Sequence, residues 1–537
     1  MFIKTSIRKK PSGQTYKTHY LVEGYRDKNT GKPKHRYISN LSALPDNCIL
    51  ALQTALKKEK LDIETIDLSL LEILCNKEYG SIKLFQNLYK KYFGKYFSNT
   101  NYNKALEAIV INKIFDPKSK NAIKNWISKV DLGYDIKDKN HLYDCLDYLK
   151  SQQDTIEKRL SKNIKEQGCS ILLYDITSTY FEGKGDKDIC KYGYSRDHRS
   201  DRVQVNIGLI TSADGTPISV EIIPGNISDK QTLQDQISKI KQKFGIKEIT
   251  FVFDRGMKST VNLDYLQKSG YEYITALSHS ELRKKCLENE EIDRNLFDKN
   301  NLSEFEIEGK YYSLVHNILK ADSDKFNRNA LITKTTEKLV SIQNFKRDYT
   351  ELALQDKVSK VINKYKCAKF INYEIKKIAK KDKAGKTKYY GKLEYKLASK
   401  KILEAEKYDG FFMVESTNKK ITGNESVSQY KDLQLVERAF DAVKNHIEIR
   451  PVFHFKERRI KGHIFSCFMS YFLLHKFKQE CADLLQIYSL DDLLSELTKI
   501  QKNYIKIKNY CFTKITNLSE LGEDLLKRFK VPLLCTE

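Results

Sequence analysis

Three acidic residues are the side chains of this sequence that most strongly suggest chemistry. Asp175 follows the apolar run Ile171–Tyr174, Asp254 follows the run Ile249–Phe253, and Glu437 lies far downstream in a helical pattern. Acidic residues are poor strand formers, so one that ends an apolar β-run usually serves a site rather than the sheet. Two aspartates at adjacent strand ends and a glutamate facing them from a helix would form an oxygen-only cage. Such a cage suits two Mg²⁺ ions, the arrangement that cuts and joins phosphodiesters, and it indicates a DNA-processing enzyme.

Each of these acids also has an ordinary structural interpretation. A single aspartate after a strand is more often a helix cap or a turn residue than a metal ligand. Asp254 is followed by Arg255 and Gly256, which would make a plausible turn, and Glu437 could be a solvated helix residue. The metal interpretation therefore depends on whether the fold brings the three acids together.

The segment YKDLQLVERAFDAVK places further functional side chains around Glu437. At about 100° per residue, Tyr430, Leu433, Glu437 and Lys444 fall within about 60° of one another on a helix. Lys444 would lie two turns, about 10 Å, beyond Glu437. This spacing predicts that Glu437 ligates a metal while Tyr430 and Lys444 hold a DNA strand, the tyrosine by stacking and the lysine by its charge.

The elements that must position the acids form an α/β pattern. We expect strands at 170–180, 203–211, 217–223, 249–254 and 271–277, and helices at 229–243 and 258–268. An antiparallel meander followed by βα units is the order of the RNase H-like fold, a mixed five-stranded sheet flanked by helices. In that order the first and fourth strands are neighbours, which would place Asp175 beside Asp254. A strand at 410–415, a helix at 426–446 and an apolar helix at 460–480 continue the pattern.

The remaining segments suggest a chain of several parts. Residues 1–48 have the alternation of a basic β-hairpin with a turn at 29–33, either a DNA-binding element or an edge hairpin that lysine keeps soluble. Residues 49–165 have a helical period and are predicted to be a helical DNA-binding region. The RNase H-like core is expected in two parts, 166–280 and 406–480, separated by a lysine-rich insertion domain at 281–405 that has a polar helix around 338–366. Residues 481–537 are predicted to form a helical tail.

The charge of the chain favours a polyanionic partner. Its 95 Lys and Arg residues against 70 Asp and Glu residues give a net charge of +25, and nucleic acid is the usual partner of such an excess. An AT-rich genome, which inflates lysine, is the alternative explanation. The link between the first two predicted strands is especially basic, and next to a metal pair it would contact DNA rather than remain a solvated loop. The predicted DNA contacts in and beyond this link are Lys191, Arg196, His198, Arg199, Arg202 and Arg450.

Cysteine usage and hydropathy indicate where such a protein would work. The eleven cysteines include no CxxC pair, which argues against zinc ribbons and a disulfide framework and for a reducing compartment. The longest apolar stretch, 464–474, is too short to span a bilayer, which takes about 20 residues. The sequence therefore predicts a soluble, cytoplasmic protein without a membrane partner.

Several ordered motifs resemble the DDE transposases of bacterial insertion sequences, in the IS-four-like superfamily. The signature Y-x2-R-x3-E-x6-K is matched by Tyr430, Glu437 and Lys444, with Leu433 in the arginine position. The resemblance extends to LLYDITSTYFEG around Asp175, VFDRGMKS around Asp254, and the segment GNISDKQTL. It covers most of 169–278 and 408–475. The separation between the last two acids, 437 − 254 = 183 residues, also fits the β-rich insertion of this family.

The resemblance implies a cut-and-paste transposase with an RNase H-like core. Asp175, Asp254 and Glu437 would hold two Mg²⁺ or Mn²⁺ ions, and the enzyme would bind terminal inverted repeats and target double-stranded DNA. It further implies an end-paired homodimer associated with the bacterial nucleoid. Two alternatives remain: a stand-alone metal-dependent nuclease with the same triad, and a catalytically inactive DNA-binding relic. Terminal repeats flanking the gene would separate the transposase from the nuclease.

Overall fold

The computed structural model describes residues 1–9, 15–27, 31–57, 71–136, 138–162, 171–244, 248–288, 302–345, 349–381, 386–507 and 510–532. The chain divides into two compact units. The first unit contains residues 1–247 and 434–537, and the second unit contains residues 248–433.

The strands, in chain order, are β1 (Phe2–Lys9), β2 (Thr15–Arg26), β3 (Pro33–Asn40), β4 (Leu71–Glu78), β5 (Ile171–Tyr180), β6 (Gln204–Ser212), β7 (Pro217–Pro224), β8 (Thr250–Phe253), β9 (Glu272–Ala276), β10 (Leu302–Ile307), β11 (Lys310–His316), β12 (Ile371–Lys381), β13 (Thr387–Leu397), β14 (Phe411–Ser416), β15 (Gln501–Ile507) and β16 (Tyr510–Ile515).

The α-helices, in chain order, are α1 (Asp46–Lys57), α2 (Gly80–Tyr92), α3 (Thr100–Phe115), α4 (Lys120–Ile127), α5 (His141–Leu160), α6 (Asp229–Lys239), α7 (Thr260–Ser269), α8 (His279–Glu288), α9 (Ile318–Gln343), α10 (Glu351–Lys364), α11 (Ser399–Glu406), α12 (Gly423–Lys431), α13 (Leu433–Asp441), α14 (Glu457–Glu480), α15 (Leu490–Thr498) and α16 (Glu520–Arg528).

The first unit begins with a three-stranded antiparallel sheet in the order β1-β2-β3. The hairpin predicted for the N-terminus is therefore present, with one more strand than a simple hairpin. Val22 and Ile3 are buried residues of this sheet. The predicted turn at 29–33 lies partly outside the described residues.

The antiparallel meander predicted around Asp175 is confirmed. Strands β5, β6 and β7 pair in sequence order, with Asp175 of β5 opposite Leu209 of β6. Helix α6 follows, and a capping box formed by Ser228 and Gln231 starts it. The observed bounds agree with the predicted strands and helix because alternating and continuous apolar runs are strong local signals.

The predicted apolar helix at 460–480 is also confirmed, as α14, and it forms the centre of the helical part of the first unit. Most of its residues from Ile460 to Phe477 are buried. Gly462 permits close contact with α5, since a Cβ atom there would lie 2.0 Å from the carbonyl oxygen of Leu146. A side chain at this position would force the two helices apart.

Two expectations for the first unit are wrong. The region predicted to be wholly helical contains β4, and the predicted helical tail contains β15 and β16; these strands form one antiparallel sheet in the order β16-β15-β4. Gln501 of β15 pairs with Glu78 of β4, so these two strands come from opposite ends of the chain, whereas β16 pairs with its neighbour β15. Local periodicity cannot report such distant pairing.

The second unit contributes five neighbouring strands, in the order β10-β11-β14-β9-β8, to a large mixed sheet. Strands β8 and β9 are parallel, and the other neighbours are antiparallel. The predicted strands at 249–254, 271–277 and 410–415 are confirmed as β8, β9 and β14. The segment predicted as an insertion contributes β10 and β11 to this same sheet.

The rest of the second unit packs the β12–β13 hairpin against α9 and α10 around a core that includes Leu339, Leu354 and Val358. The single polar helix predicted around 338–366 is wrong, because α9 ends at Gln343 and α10 starts after Thr350. The Thr350 hydroxyl accepts a hydrogen bond from the Ala353 amide and caps the new helix.

The continuous helix predicted at 426–446 is divided into three pieces. Helix α12 ends before Asp432, α13 follows, and a π-helical turn spans Ala442–His446. The single helical face calculated for the segment therefore does not hold over its whole length. Among the described residues, no helix combines the length and apolar character needed to cross a membrane.

Candidate active site

Asp175 lies in the middle of β5, half-buried between the buried residues Tyr174 and Ile176. Successive strand residues point to opposite faces, so Asp175 shares its face with Thr177, two residues on. The strand continues to Tyr180, which shows that the carboxylate interrupts a buried strand instead of ending it. An acid in the middle of a buried strand carries a cost in strand propensity and in lost hydration.

Glu437 lies on the solvent side of α13. Further along the same segment, Phe440 and Lys444 line a small cavity together with Thr177 of β5 and Leu209 of β6. The segment that begins with α13 therefore packs on the face of the β5–β6 pair that carries Asp175. Glu437 precedes Phe440 by one helical turn, and Asp175 precedes Thr177 by one step of the same strand face.

Asp254 ends β8 in the second unit and is exposed. One carboxylate oxygen, Oδ2, accepts a hydrogen bond of 3.1 Å from the Gly256 amide, which makes Asp254 the cap of a short 3₁₀ turn. The other, Oδ1, accepts a hydrogen bond of 3.1 Å from the Tyr430 hydroxyl. The turn interpretation is thus correct, but the turn and the Tyr430 hydroxyl together use only two of the about four lone-pair sites of the carboxylate. The remaining sites can bind a cation.

The donor set fits a hard divalent cation by its chemistry, since all three acids supply carboxylate oxygens. Among the described residues, however, no three His, Cys, Asp or Glu side chains come close enough together to hold a metal ion. The grouping of Asp175, Asp254 and Glu437 therefore stays a prediction.

Two residues beside Asp254 were missed by the sequence reasoning. Lys258, at the end of the Asp254 turn, donates a hydrogen bond of 2.9 Å to Glu415, which is buried at the end of β14. Glu415 follows the apolar run Phe411–Val414. The signal that singled out Asp175 and Asp254, an acid that follows an apolar run, would also have found it.

Most of the predicted DNA-contacting cations are held by acids of the first unit. Asp197, whose side chain is 4% exposed, pairs with Lys444 at 2.8 Å and also with Arg450. Burial lowers the pKa of Lys444, and the charge of Asp197 opposes that shift. The other three pairs are Arg196 with Asp229, Arg199 with Asp201, and Arg202 with Glu182.

Lys191 and His198 are the predicted contacts that are exposed at the surface of this link. Two tyrosines, Tyr192 at 65% and Tyr194 at 82% exposure, lie close to Lys191 in the chain. His198 has a left-handed backbone conformation, with φ of 56°. Exposed cations and aromatic rings are the side chains that contact a phosphate backbone and stack on bases.

Leu433, in the arginine position of the signature, is a buried residue. It cannot replace the guanidinium as a phosphate contact. At the start of α13 this chain thus has a buried apolar side chain where the signature has an arginine.

Comparison with known proteins identifies the family of the chain. A family model described as the transposase DDE domain matches residues 167–473, and a model described as the N-terminal domain of IS1634 family transposases matches residues 3–64. None of the curated proteins matches the chain.

Two solved structures show a more limited likeness. A pre-cleavage Mos1 transpososome is 11% identical with a TM-score of 0.15, and the match covers 32% of this chain and 58% of that one. A Mos1 transposase paired-end complex with the left transposon end is 14% identical with a TM-score of 0.15, covering 43% and 67%. The chain thus spans less than two thirds of the first of these, and a likeness at this TM-score supports no inference.

Proposed function

The chain belongs to the family of DDE transposases, and on that premise we propose that it mobilises an insertion sequence by cut-and-paste transposition. It binds the terminal inverted repeats of its element, cuts the DNA at those ends and joins them to target DNA. Membership of the family implies a divalent metal cofactor. We propose that this is Mg²⁺ or Mn²⁺, with two ions per site.

Asp175, Asp254 and Glu437 are the proposed metal ligands and catalytic residues, within a core of RNase H-like fold. When bound, the metal pair supplies Lewis-acid stabilisation of the attacking and leaving oxygens of the phosphodiester. The protein contributes the position and charge of the three carboxylates. Asp175 is held by a strand and Asp254 by a capped turn, both of which restrict side-chain motion before any ligand arrives.

The observation that carries this proposal is the hydrogen bond from Tyr430 to Asp254. The two residues are 176 positions apart in the chain, and each was singled out by a different motif. A hydroxyl that donates to a ligating carboxylate fixes its orientation, as the outer partners of metal ligands commonly do. Contact between motif residues so distant in sequence favours one common site over two unrelated structural roles.

The DNA is proposed to lie along the basic link and the α13 segment. Lys191 and His198 are exposed and can contact phosphates directly. Lys444, Arg196, Arg199, Arg202 and Arg450 can do so by exchanging their carboxylate partners for phosphate. Phosphate contacts position the DNA without reading its sequence, so recognition of the repeats falls to other residues, and the N-terminal 1–48 and 49–165 regions are the proposed readers. The two ends are proposed to be paired by a homodimer.

The test is cleavage of a plasmid that carries the element's own flanking DNA, in Mg²⁺ or in EDTA, by wild type and by the Asp175→Asn variant. Asparagine keeps the shape of the side chain, so β5 should remain intact while the charge is lost. Metal-dependent cuts at the element ends, absent from the variant, are the expected result. Cuts scattered without regard to the ends would support a stand-alone nuclease instead. End binding without any cut by wild type would support the inactive relic.

A further inference from the structure

Glu415 is a buried carboxylate in the sheet of the second unit. Only 3% of the residue is exposed, and it lies between Tyr312 of β11 and Thr275 of β9 in the strand register. A charged group in such a place is stable only when other groups compensate its lost hydration. The structure supplies three such groups.

The three groups that surround Glu415 are Tyr273, Lys258 and Lys310. The Tyr273 hydroxyl donates a hydrogen bond to Oε1, the Lys258 ammonium lies 2.9 Å from Oε2, and Lys310 lies 3.3 Å from Oε1. Burial by itself raises the pKa of Glu415, but the Tyr273 hydrogen bond and the Lys258 charge hold it below its usual value. The carboxylate is therefore ionised at neutral pH and holds its partners as an anion.

Lys258 connects this buried anion to the turn that carries Asp254. Its amide donates to the Arg255 carbonyl at 3.1 Å, and the Met257 amide donates to the Asp254 carbonyl at 3.0 Å. The Lys258 side chain is only 13% exposed and also contacts Glu281 at 3.0 Å. The two ends of the short turn thus differ: Asp254 is exposed to solvent, whereas the Lys258 side chain is largely buried and pairs with Glu415.

We propose that Glu415 is a positioning residue for DNA cleavage: through Lys258 it fixes the turn that presents Asp254. The inference rests on the proposed catalytic function of Asp254. Glu415 itself is buried and does not contact the DNA or the reacting atoms. Its removal leaves Lys258 with the partly exposed Glu281 as a carboxylate partner. The turn then becomes more mobile, and that mobility must be lost again when Asp254 binds a metal.

The first test needs no metal and no DNA. Amide hydrogen exchange is measured at Gly256, Met257 and Lys258 in metal-free full-length protein, for wild type and the Glu415→Gln variant. We expect exchange in this turn to become about 10-fold faster, because local opening is no longer opposed by the buried ion pair. Lys258→Met should have the same effect, and Lys258→Arg, which keeps the charge, should restore most of the protection.

A matched control removes a different buried glutamate that is paired with a lysine. Glu157 lies 3.0 Å from Lys239 in the first unit, and its side chain is fully buried. Glu157→Gln should leave exchange in the 254–258 turn unchanged, even if the protein loses stability. Glu281→Gln removes the exposed partner of Lys258 and should have a smaller effect than Glu415→Gln.

The second test measures how DNA cleavage depends on Mn²⁺ concentration. In Glu415→Gln the Mn²⁺ concentration for half-maximal cleavage should rise about 10-fold, as for other outer partners of metal ligands. Binding of the element ends in EDTA should stay at the wild-type level.

The outcomes separate the inference from the function on which it rests. Unchanged exchange of the turn in Glu415→Gln and in Lys258→Met would overturn the inference, whatever Asp254 does. Faster exchange together with full cleavage by Asp254→Asn would reject the proposed function of Asp254 and with it the catalytic role of Glu415, while the anchoring of the turn would stand. If Glu415→Gln does not fold, Lys258→Met at the edge of the buried site tests the same link.

Discussion

The Lys444 ammonium lies 2.8 Å from Oδ1 of Asp197, and Arg450 pairs with the same oxygen. The other oxygen of Asp197, Oδ2, is buried without a hydrogen-bond partner within the described part of the chain. One buried carboxylate thus pairs with two cations, of which one belongs to the motif that resembles transposases. A phosphate could contact these two cations only by displacing Asp197.

The first prediction is that Asp197→Asn makes binding of the element ends more dependent on salt. Two cations lose their carboxylate, so the slope of log affinity against log salt should steepen by about 1 to 2. Stability should fall by about 1–3 kcal/mol, less than for a fully buried pair, since 24% of the Arg450 side chain is exposed. Fluorescence anisotropy of a labelled terminal-repeat duplex in EDTA, at several salt concentrations, measures the slope.

The control for this prediction is Asp131→Asn. Asp131 is also a buried aspartate that faces two lysines, Lys83 at 3.8 Å and Lys502 at 3.3 Å. This variant should lose stability without a change of salt slope. An Asp197→Asn slope equal to that of wild type would show that Lys444 and Arg450 do not reach the DNA.

The sequence was sufficient where neighbouring residues determine the structure. Strands β5 to β9 were predicted to within a few residues because their apolar runs are local and continuous. The pairing of β4 with β15 was missed, since Glu78 and Gln501 are far apart in the chain and β4 is largely exposed. No window of local sequence contains that information.

In the candidate site too, local features were predictable from the sequence and long-range contacts were not. Its residue types were evident from acids that follow apolar runs, yet the partners of those residues were not. Helical geometry placed Lys444 on the face of Glu437, whereas the structure ends α13 in a π-helical turn and pairs Lys444 with Asp197. The π-helical turn departs from the regular helical period, and a tertiary ion pair such as this one has no local sequence pattern.

The second prediction concerns Glu437→Gln. Glu437 is exposed on α13, so the substitution should change the free energy of unfolding by no more than about 0.5 kcal/mol. DNA cleavage should nevertheless fall by at least about 100-fold, because a metal ligand contributes several kcal/mol to the transition state. Asp441→Asn, which changes an exposed acid at the end of the same helix, should cleave like wild type. Equal losses in both variants would indicate that the charge of the helix matters and that Glu437 is not a ligand.

The third prediction concerns Lys120, a lysine buried in the first unit. Its Nζ lies 3.0 Å from Nδ1 of His463, and burial lowers its pKa from 10.5 to about 8. A depressed pKa means that the unfolded chain binds the proton more tightly than the folded protein between those two values. The stability contributed by Lys120 is therefore complete above pH 10.5 and is lost as the pH falls through about 8.

Lys120→Met removes this dependence. The free energy of unfolding of the variant should exceed that of wild type by the largest amount at neutral pH. This difference should shrink by about 1.4 kcal/mol per pH unit above pH 8. Urea unfolding at a series of pH values measures the difference, and Lys124→Met, at an exposed position of the same helix α4, should show none. A difference between Lys120→Met and wild type that does not vary with pH would show that the buried amine keeps its ordinary pKa.

The last prediction distinguishes two roles of Tyr430. Sequence reasoning expected it to hold the DNA strand, whereas its hydroxyl donates to Oδ1 of Asp254. Tyr430→Phe keeps the ring for stacking and removes only the donor. If the hydroxyl orients the carboxylate, the Mn²⁺ concentration for half-maximal cleavage should rise about 10-fold while end binding in EDTA stays constant. Weaker end binding without a metal effect would assign the hydroxyl to the DNA. Tyr389→Phe, the same change at an exposed position of the β12–β13 hairpin, should alter neither quantity.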